Sequence, residues 1–199
     1  DIEIFPVLNA MLEGILGESP YKSPTDMGVN MVGFAISDDE VVKEASKQEI
    51  IRRYYNALVT ERQGMSNETD SEKIELLMKQ VNVTVDDRPV VQSAIEKAET
   101  EGSPATAIEM PDGKIITGKT SSLLGAASAV LLNSLKYLAG IDDSVNLISP
   151  TIIEPIQKLK TEIMRNHNPR LHTDEILIAL SICAATDDLA KQALDNAYK

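Results

Sequence analysis

Apolar positions recur at helical spacing along most of the chain. Residues 2–16, IEIFPVLNAMLEGIL, predict a short buried helix with Pro6 in its first turn. Residues 38–62 read as one long amphipathic helix. Ser37 or Asp38 caps it, and Ile50, Ile51, Tyr54, Leu58 and Val42 face inward. Thr69 or Asp70 opens a second helix, SEKIELLMKQV. A third, DRPVVQSAIEKAETEG, ends at Gly102. Between the helices at 2–16 and 38–62 lies a loop rich in Pro, Gly, Ser and Thr, GESPYKSPTDMGVNMVG, with a short strand expected around VNMVGFAI.

The pattern then changes. Two β-prone runs, TAIEM and KIIT, flank Pro111-Asp112-Gly113 and predict a hairpin. Residues 120–139 follow as a strongly apolar helix with many small residues. Ser149-Pro150 opens a helix running to about Arg165, with Ser as cap and Pro at the first position. NHNPRLHTDE is a loop. Thr173 or Asp174 caps EILIALSICAAT, and Asp187 starts a last helix. The sum is a helix-rich α+β domain with a small β-hairpin or sheet. It is expected to be a single domain over 1–199, with a candidate subdomain break near 102.

Composition narrows the function classes. The chain has 199 residues, 43% of them apolar, so a sizeable core can form. Tryptophan is absent, and aliphatic residues and seven Met must supply the core volume. A net charge of −12 repels phosphate backbones and argues against nucleic-acid binding. Cys183 is the only cysteine, so no internal disulfide can form, which fits the cytoplasm. No apolar run reaches the ~18 residues of a membrane span. The nearest, around 123–141, is broken by Ser, Asn and Lys. No signal peptide is evident. A start at Asp1, directly before an apolar segment, reads as part of a longer polypeptide.

Residues 113–120, GKIITGKT, match the phosphate-loop spelling G-x-x-x-x-G-K-[ST]. A phosphate loop must curl so that its N–H groups surround the anion. Ile115 and Ile116 favour extended backbone, and Pro-Asp-Gly already accounts for Gly113 as a turn. A hairpin leading into a helix therefore outweighs a mononucleotide loop. What survives is a candidate anion site at a helix start, built from Gly118, Lys119, Thr120 and Ser121. The plainer alternative is that Thr120 or Ser121 only caps the helix.

Two other polar loops hold candidates. Lys22, Ser23, Thr25 and Asn30 are candidate ligand contacts, with Asp26 able to orient a lysine or handle a proton; turn chemistry alone also accounts for this loop. Arg170 is a candidate anion clamp and His172 a candidate base, against a plain helix connection. Two irregularly spaced His and a Cys in an apolar helix give no metal set, and H-E-x-x-H is absent.

Several segments carry a resemblance: DIEIFPVLNAMLEGILGESPYKSPTDMGVNMVGFAI, EASKQEIIRRYYNAL, KIELLMKQ, DRPVVQSAIEKAE, PDGKIITGKTSSLLGAASAVLLNSLKYLAGI and NPRLHTDEILIALSICAAT. Together they resemble the C-terminal half of a bacterial family of uncharacterised proteins, a domain of unknown function. The resemblance implies a cytosolic bacterial protein, notably of Gram-positive bacteria. It also implies a missing N-terminal half as partner, carrying its own glycine-rich strand–loop–helix. Some members bear the label ATP-dependent zinc protease, which no residue here supports. No catalytic residues or cofactor are implied. The leading expectation is a site for a small anionic metabolite or nucleotide, formed where the three polar loops gather. The alternative is a non-enzymatic domain for self-association as a homo-oligomer or for partner binding, motivated by the helix at 120–139.

Overall fold

The computed structural model describes residues 5–19, 40–65 and 69–197. The chain divides into two compact units, 1–88 and 89–199. Among the described residues helices dominate and the sheet has two strands, so the expected α+β class is what is found.

In the first unit, α1 spans Phe5–Leu16, α2 Glu40–Arg62 and α3 Thr69–Gln80, followed by a 3-10 turn at Val85–Asp87. Ile50 and Ile51 of α2 pack with Leu77, Met78 and Val83. Tyr54 and Tyr55 lie half-buried against that cluster, with ring centroids 5.9 Å apart. Glu61 takes both the N–H and the hydroxyl of Ser71, at 2.7 and 2.8 Å, and so fixes the start of α3. The short buried helix expected at 2–16 forms, but Val7, Met11, Ile15 and Leu16 are exposed. Apolar spacing determines that a helix forms; it does not supply the surface that covers it. The expected strand near VNMVGFAI lies outside the described residues.

The second unit begins with α4, Pro89–Glu101. Gly102, at φ +60°, ends it in the left-handed region that glycine enters without strain. Strands β1 (Ala105–Glu109) and β2 (Ile115–Lys119) pair antiparallel, with Ala107 opposite Thr117. Their turn closes through the Gly113 N–H on the Met110 carbonyl, 2.8 Å, with Gly113 at φ +82°. Both α4 and α5 (Ala126–Ala139) pack on the hairpin.

After α5 come α6 (Pro150–Lys158), a wide π turn at Leu159–Ile163, α7 (Thr173–Cys183) and α8 (Asp188–Asp195). Ser149 caps α6 and Asp187 caps α8, as their sequence signatures predict. Leu132 and Leu135 of α5 pack with Leu147, Ile148, Ile153, Leu171, Ile176, Leu180 and Cys183 in one core. Cys183 is therefore a packing residue.

Two boundaries differ from expectation. The helix expected from Thr120 begins only at Ala126, with Gly125 as its cap. Residues 120–125 stay outside the helix because Leu124 forms a parallel bridge with Leu171, and the Leu171 N–H donates to the Leu123 carbonyl at 3.0 Å. That pairing holds the segment out of helical dihedrals. The helix expected to reach Arg165 widens at Leu159 and stops before Arg165, which sits at φ +55°. Among the described residues, no helix is long and apolar enough to cross a membrane.

Candidate functional site

The phosphate-loop spelling is divided between a turn and a strand. Gly113 closes the hairpin, and Ile115 to Lys119 form β2. Gly118 is required for packing. A Cβ there would stand 2.2 Å from the Val130 nitrogen and 2.8 Å from the Ala126 carbonyl oxygen. Glycine lets β2 lie directly on the backbone of α5.

The helix whose start was expected to carry an anion site begins later, at Ala126, so Gly118, Lys119, Thr120 and Ser121 do not stand at its N-terminus. Lys119 pairs with Glu101, which Lys97 also holds at 2.9 Å. The Lys119 hydrogen bond, joined by that of Lys97, pulls the Glu101 pKa down to about 2. Thr120 continues the hairpin by donating its N–H to the Pro104 carbonyl, 2.8 Å. The Ser121 hydroxyl accepts from the Leu123 and Leu124 N–H groups at 3.2 and 3.1 Å. Each predicted contact thus has a local structural task.

Two of the three polar loops nevertheless meet. The Arg170 Nε donates to the Ser121 carbonyl at 2.7 Å across 49 residues of sequence. Gln157 donates to the Ser122 carbonyl at 3.0 Å. Residues 121–124 therefore form a strap, tied to α6 on one side and to the segment before α7 on the other. Behind that segment, Lys160 is 2% exposed and donates to the Arg170 carbonyl (2.6 Å) and to Glu175 Oε2 (2.7 Å). Glu175 also accepts the His172 N–H at 2.7 Å. His172 is the exposed cap of α7, its ring 3.5 Å from the Asn168 amide. The third loop, with Lys22, Ser23, Thr25, Asp26 and Asn30, lies outside the described residues.

The inner side of the strap walls a cavity of about 160 Å³. Leu123 and Leu124 form one side, and Leu132, Val145, Ile148 and Ile153 line the rest. Three polar residues are part of its lining: Asn133, Lys136 and Asn146. Lys136 is 7% exposed and its Nζ donates to the Asp143 carbonyl at 2.7 Å. No carboxylate among the described residues lies within ion-pair distance of it. Asp142 feels its charge, but its carboxylate is turned to the Ser144 hydroxyl and N–H, which hold its pKa down first. Asn133 donates to the Thr117 carbonyl at 2.9 Å, tying α5 to β2. Asn146 and Pro150 are exposed and mark the mouth.

Sequence reasoning read Asn133 and Lys136 only as interruptions of an apolar run. Their spacing carried the signal. Positions i and i+3 share a helix face, so an amide and an ammonium on a largely apolar helix each need a polar partner on that side. Among the described residues, no group of three or more His, Cys, Asp or Glu is placed to hold a metal ion.

Two family models match the chain. One, described as domain of unknown function DUF1846, C-terminal, covers residues 86–199. The other, described as domain of unknown function DUF1846, N-terminal, covers residues 1–82. A UPF0371 protein of Corynebacterium efficiens is 58% identical over 98% of this chain and 40% of its own length. A UPF0371 protein of Streptococcus thermophilus is 56% identical over the same shares. One from Corynebacterium diphtheriae is 54% identical over 98% of this chain and 39% of its own. The chain thus spans about 40% of the length of the curated relatives it matches. These matches correct one expectation. The chain is not a C-terminal half alone, because its first 82 residues match the N-terminal model, and a missing N-terminal half as partner is withdrawn.

Proposed function

The chain belongs to the DUF1846 family, and on that premise we propose that its second unit is a binding site for a small anionic metabolite. One observation carries the reading: Lys136 is a buried lysine that lines the cavity, and among the described residues its ammonium has a single neutral hydrogen-bond partner, the Asp143 carbonyl. A buried charge is costly unless another charge or several hydrogen bonds compensate it. An anion entering past Asn146 supplies both.

The site is moved from the outer face of the strap to its inner face. Arg170 and Ser121 hold the strap in place; Lys136, with the Asn133 and Asn146 amides, meets the ligand. His172 lies on the exposed cap of α7, so the reading is one of binding and assigns no catalytic base. The rival, self-association through residues 120–139, loses its motive. The helical part of that stretch is covered by β2, α7 and α8 of its own unit, and Ser128 donates to the Leu171 carbonyl at 2.8 Å. A cytoplasmic setting accords with the lone, buried cysteine.

The test is thermal unfolding of the 199-residue chain against a panel of small organic anions. A saturable rise in Tm that Lys136→Met abolishes supports the site. No rise with any anion, or an equal rise in the variant, refutes it.

A further inference from the structure

We infer that the ligand of the Lys136 cavity is a short aliphatic monocarboxylate of about four to six carbons, which rests on the binding reading above and names its chemical class.

Three properties of the cavity select it. The first is volume. At about 160 Å³ the cavity is close to the roughly 150 Å³ cavity known to hold benzene, a ligand of six heavy atoms. Butyrate also has six heavy atoms. A nucleotide or sugar phosphate is several times larger, so the nucleotide half of the sequence expectation does not fit this space. The second is the composition of the lining. Lys136 is its one charged residue, beside Asn133 and Asn146, and the rest is apolar, with Leu124, Leu132, Val145 and Ile153 among it. Inorganic phosphate would satisfy Lys136 but leave its remaining oxygens against aliphatic carbon. A second negative charge on a dicarboxylate would meet the same walls. The third is the charge itself. A neutral hydrocarbon fills the apolar part and leaves Lys136 uncompensated. A molecule with one carboxylate and a short alkyl tail answers all three.

Ile153, 3% exposed, is one of the buried aliphatic residues of the lining, and shortening it enlarges the space for an alkyl tail. Specificity should therefore shift in a defined direction when Ile153 is shortened, which a purely structural role for Ile153 would not produce.

The experiment is an amide NMR titration of the full chain with acetate, butyrate, hexanoate and octanoate, and with butanol and inorganic phosphate as controls. Butyrate and hexanoate are expected to saturate shifts at Leu124, Leu132 and Ile153, with acetate and octanoate at least tenfold weaker. Butanol is expected to bind at least tenfold more weakly than butyrate. Lys136→Met and Lys136→Gln should each lose at least tenfold for butyrate while keeping a native spectrum. Ile153→Val should move the optimum toward the longer acid. Phosphate saturating the same resonances as tightly as butyrate would overturn the monocarboxylate class and leave anion binding standing. An unchanged length preference in Ile153→Val would overturn Ile153 as the limit on alkyl length. Butanol binding as well as butyrate, or no binding by any anion, would overturn both the class and the underlying site.

Discussion

Gly118 of β2 lies against the backbone of Val130 in α5, so closely that a Cβ on Gly118 would stand 2.2 Å from the Val130 nitrogen. No rotamer relieves that contact, because the backbone fixes where a Cβ stands and the Val130 nitrogen is main chain. Overpacking of this kind costs about 3 kcal/mol or more where the backbone must move. Gly118→Ala should therefore lower the Tm of the second unit by roughly 10 °C or more, measured by calorimetry. Gly113→Ala should be milder. Its φ of +82° strains an alanine, but no atom lies within 4 Å of its would-be Cβ. Equal losses at the two glycines would contradict the packing role.

The same pair shows what the sequence could and could not convey. Two adjacent isoleucines and a Pro-Asp-Gly turn disclose a hairpin, and they lead away from a phosphate loop. That Gly118 faces a helix backbone was not legible, because a close approach depends on a partner twelve residues on and on where that helix begins. Its start was misplaced for a similar reason. Thr120 and Ser121 have capping chemistry, but the bridge of Leu124 to Leu171 joins residues 47 positions apart and overrides it. Local caps at Ser149 and Asp187, which need no distant partner, were legible. The cavity needed tertiary knowledge: Leu123 and Leu124, Lys136 and Ile153 come from three separate segments.

Lys160 and Glu175 form a buried pair, with the lysine side chain 3% exposed. Removing one member strands the other, which costs about 3–5 kcal/mol for buried pairs. Glu175 is one-quarter exposed, so the lower end applies to losing the lysine, and losing the glutamate leaves Lys160 with the Arg170 carbonyl. Lys160→Met and Glu175→Leu should each destabilise the second unit, and the double variant should cost less than the sum of the two. Urea unfolding of the four proteins gives the coupling directly. Additive losses would mean the pair contributes nothing as a pair.

Tyr137 donates to Asp112 at 2.5 Å, pinning the hairpin turn to α5. The Tyr137 hydrogen bond, with the Lys114 N–H, holds the Asp112 pKa below its ordinary value. The carboxylate in turn raises the Tyr137 pKa. For Asp112, the stabilisation is present above the unfolded-state pKa and is lost as pH falls through the lowered folded one. For Tyr137, it is present below the unfolded-state pKa and is lost as pH rises through the raised folded one. The turn should therefore loosen at both pH extremes. Tyr137→Phe should raise the Asp112 pKa, read by carboxylate NMR titration, and remove the alkaline loss. An unshifted Asp112 in that variant would place the cause elsewhere.

Lys119 was a natural candidate for a ligand cation and is paired with Glu101 instead. Lys119→Met should raise the Glu101 pKa from about 2, only part of the way to its ordinary value because Lys97 remains. The same variant should leave anion binding at Lys136 unchanged. A loss of binding in Lys119→Met comparable to that in Lys136→Met would return the site to the outer face of the strap.

The strap itself gives the last prediction. Its carbonyls at Ser121 and Ser122 are held by Arg170 and Gln157, and its Leu123 carbonyl by the Leu171 N–H. Only the last of these is main chain, so the side-chain ties can be cut without unfolding α7. Arg170→Met removes a charge-assisted bond worth about 1.5–3 kcal/mol in general, discounted here because Arg170 is exposed. Amide exchange at Leu123 and Leu124, whose N–H groups depend on the Ser121 hydroxyl, should quicken severalfold, while exchange in the α7 core at Ile176 and Leu180 stays as it was. Anion affinity should fall by a similar factor, since a loosened Leu124 no longer closes the cavity wall. Gln157→Ala should act in the same direction, and the two substitutions together should add. Faster exchange with undiminished affinity would separate the strap from the binding site and leave Lys136 to act without it.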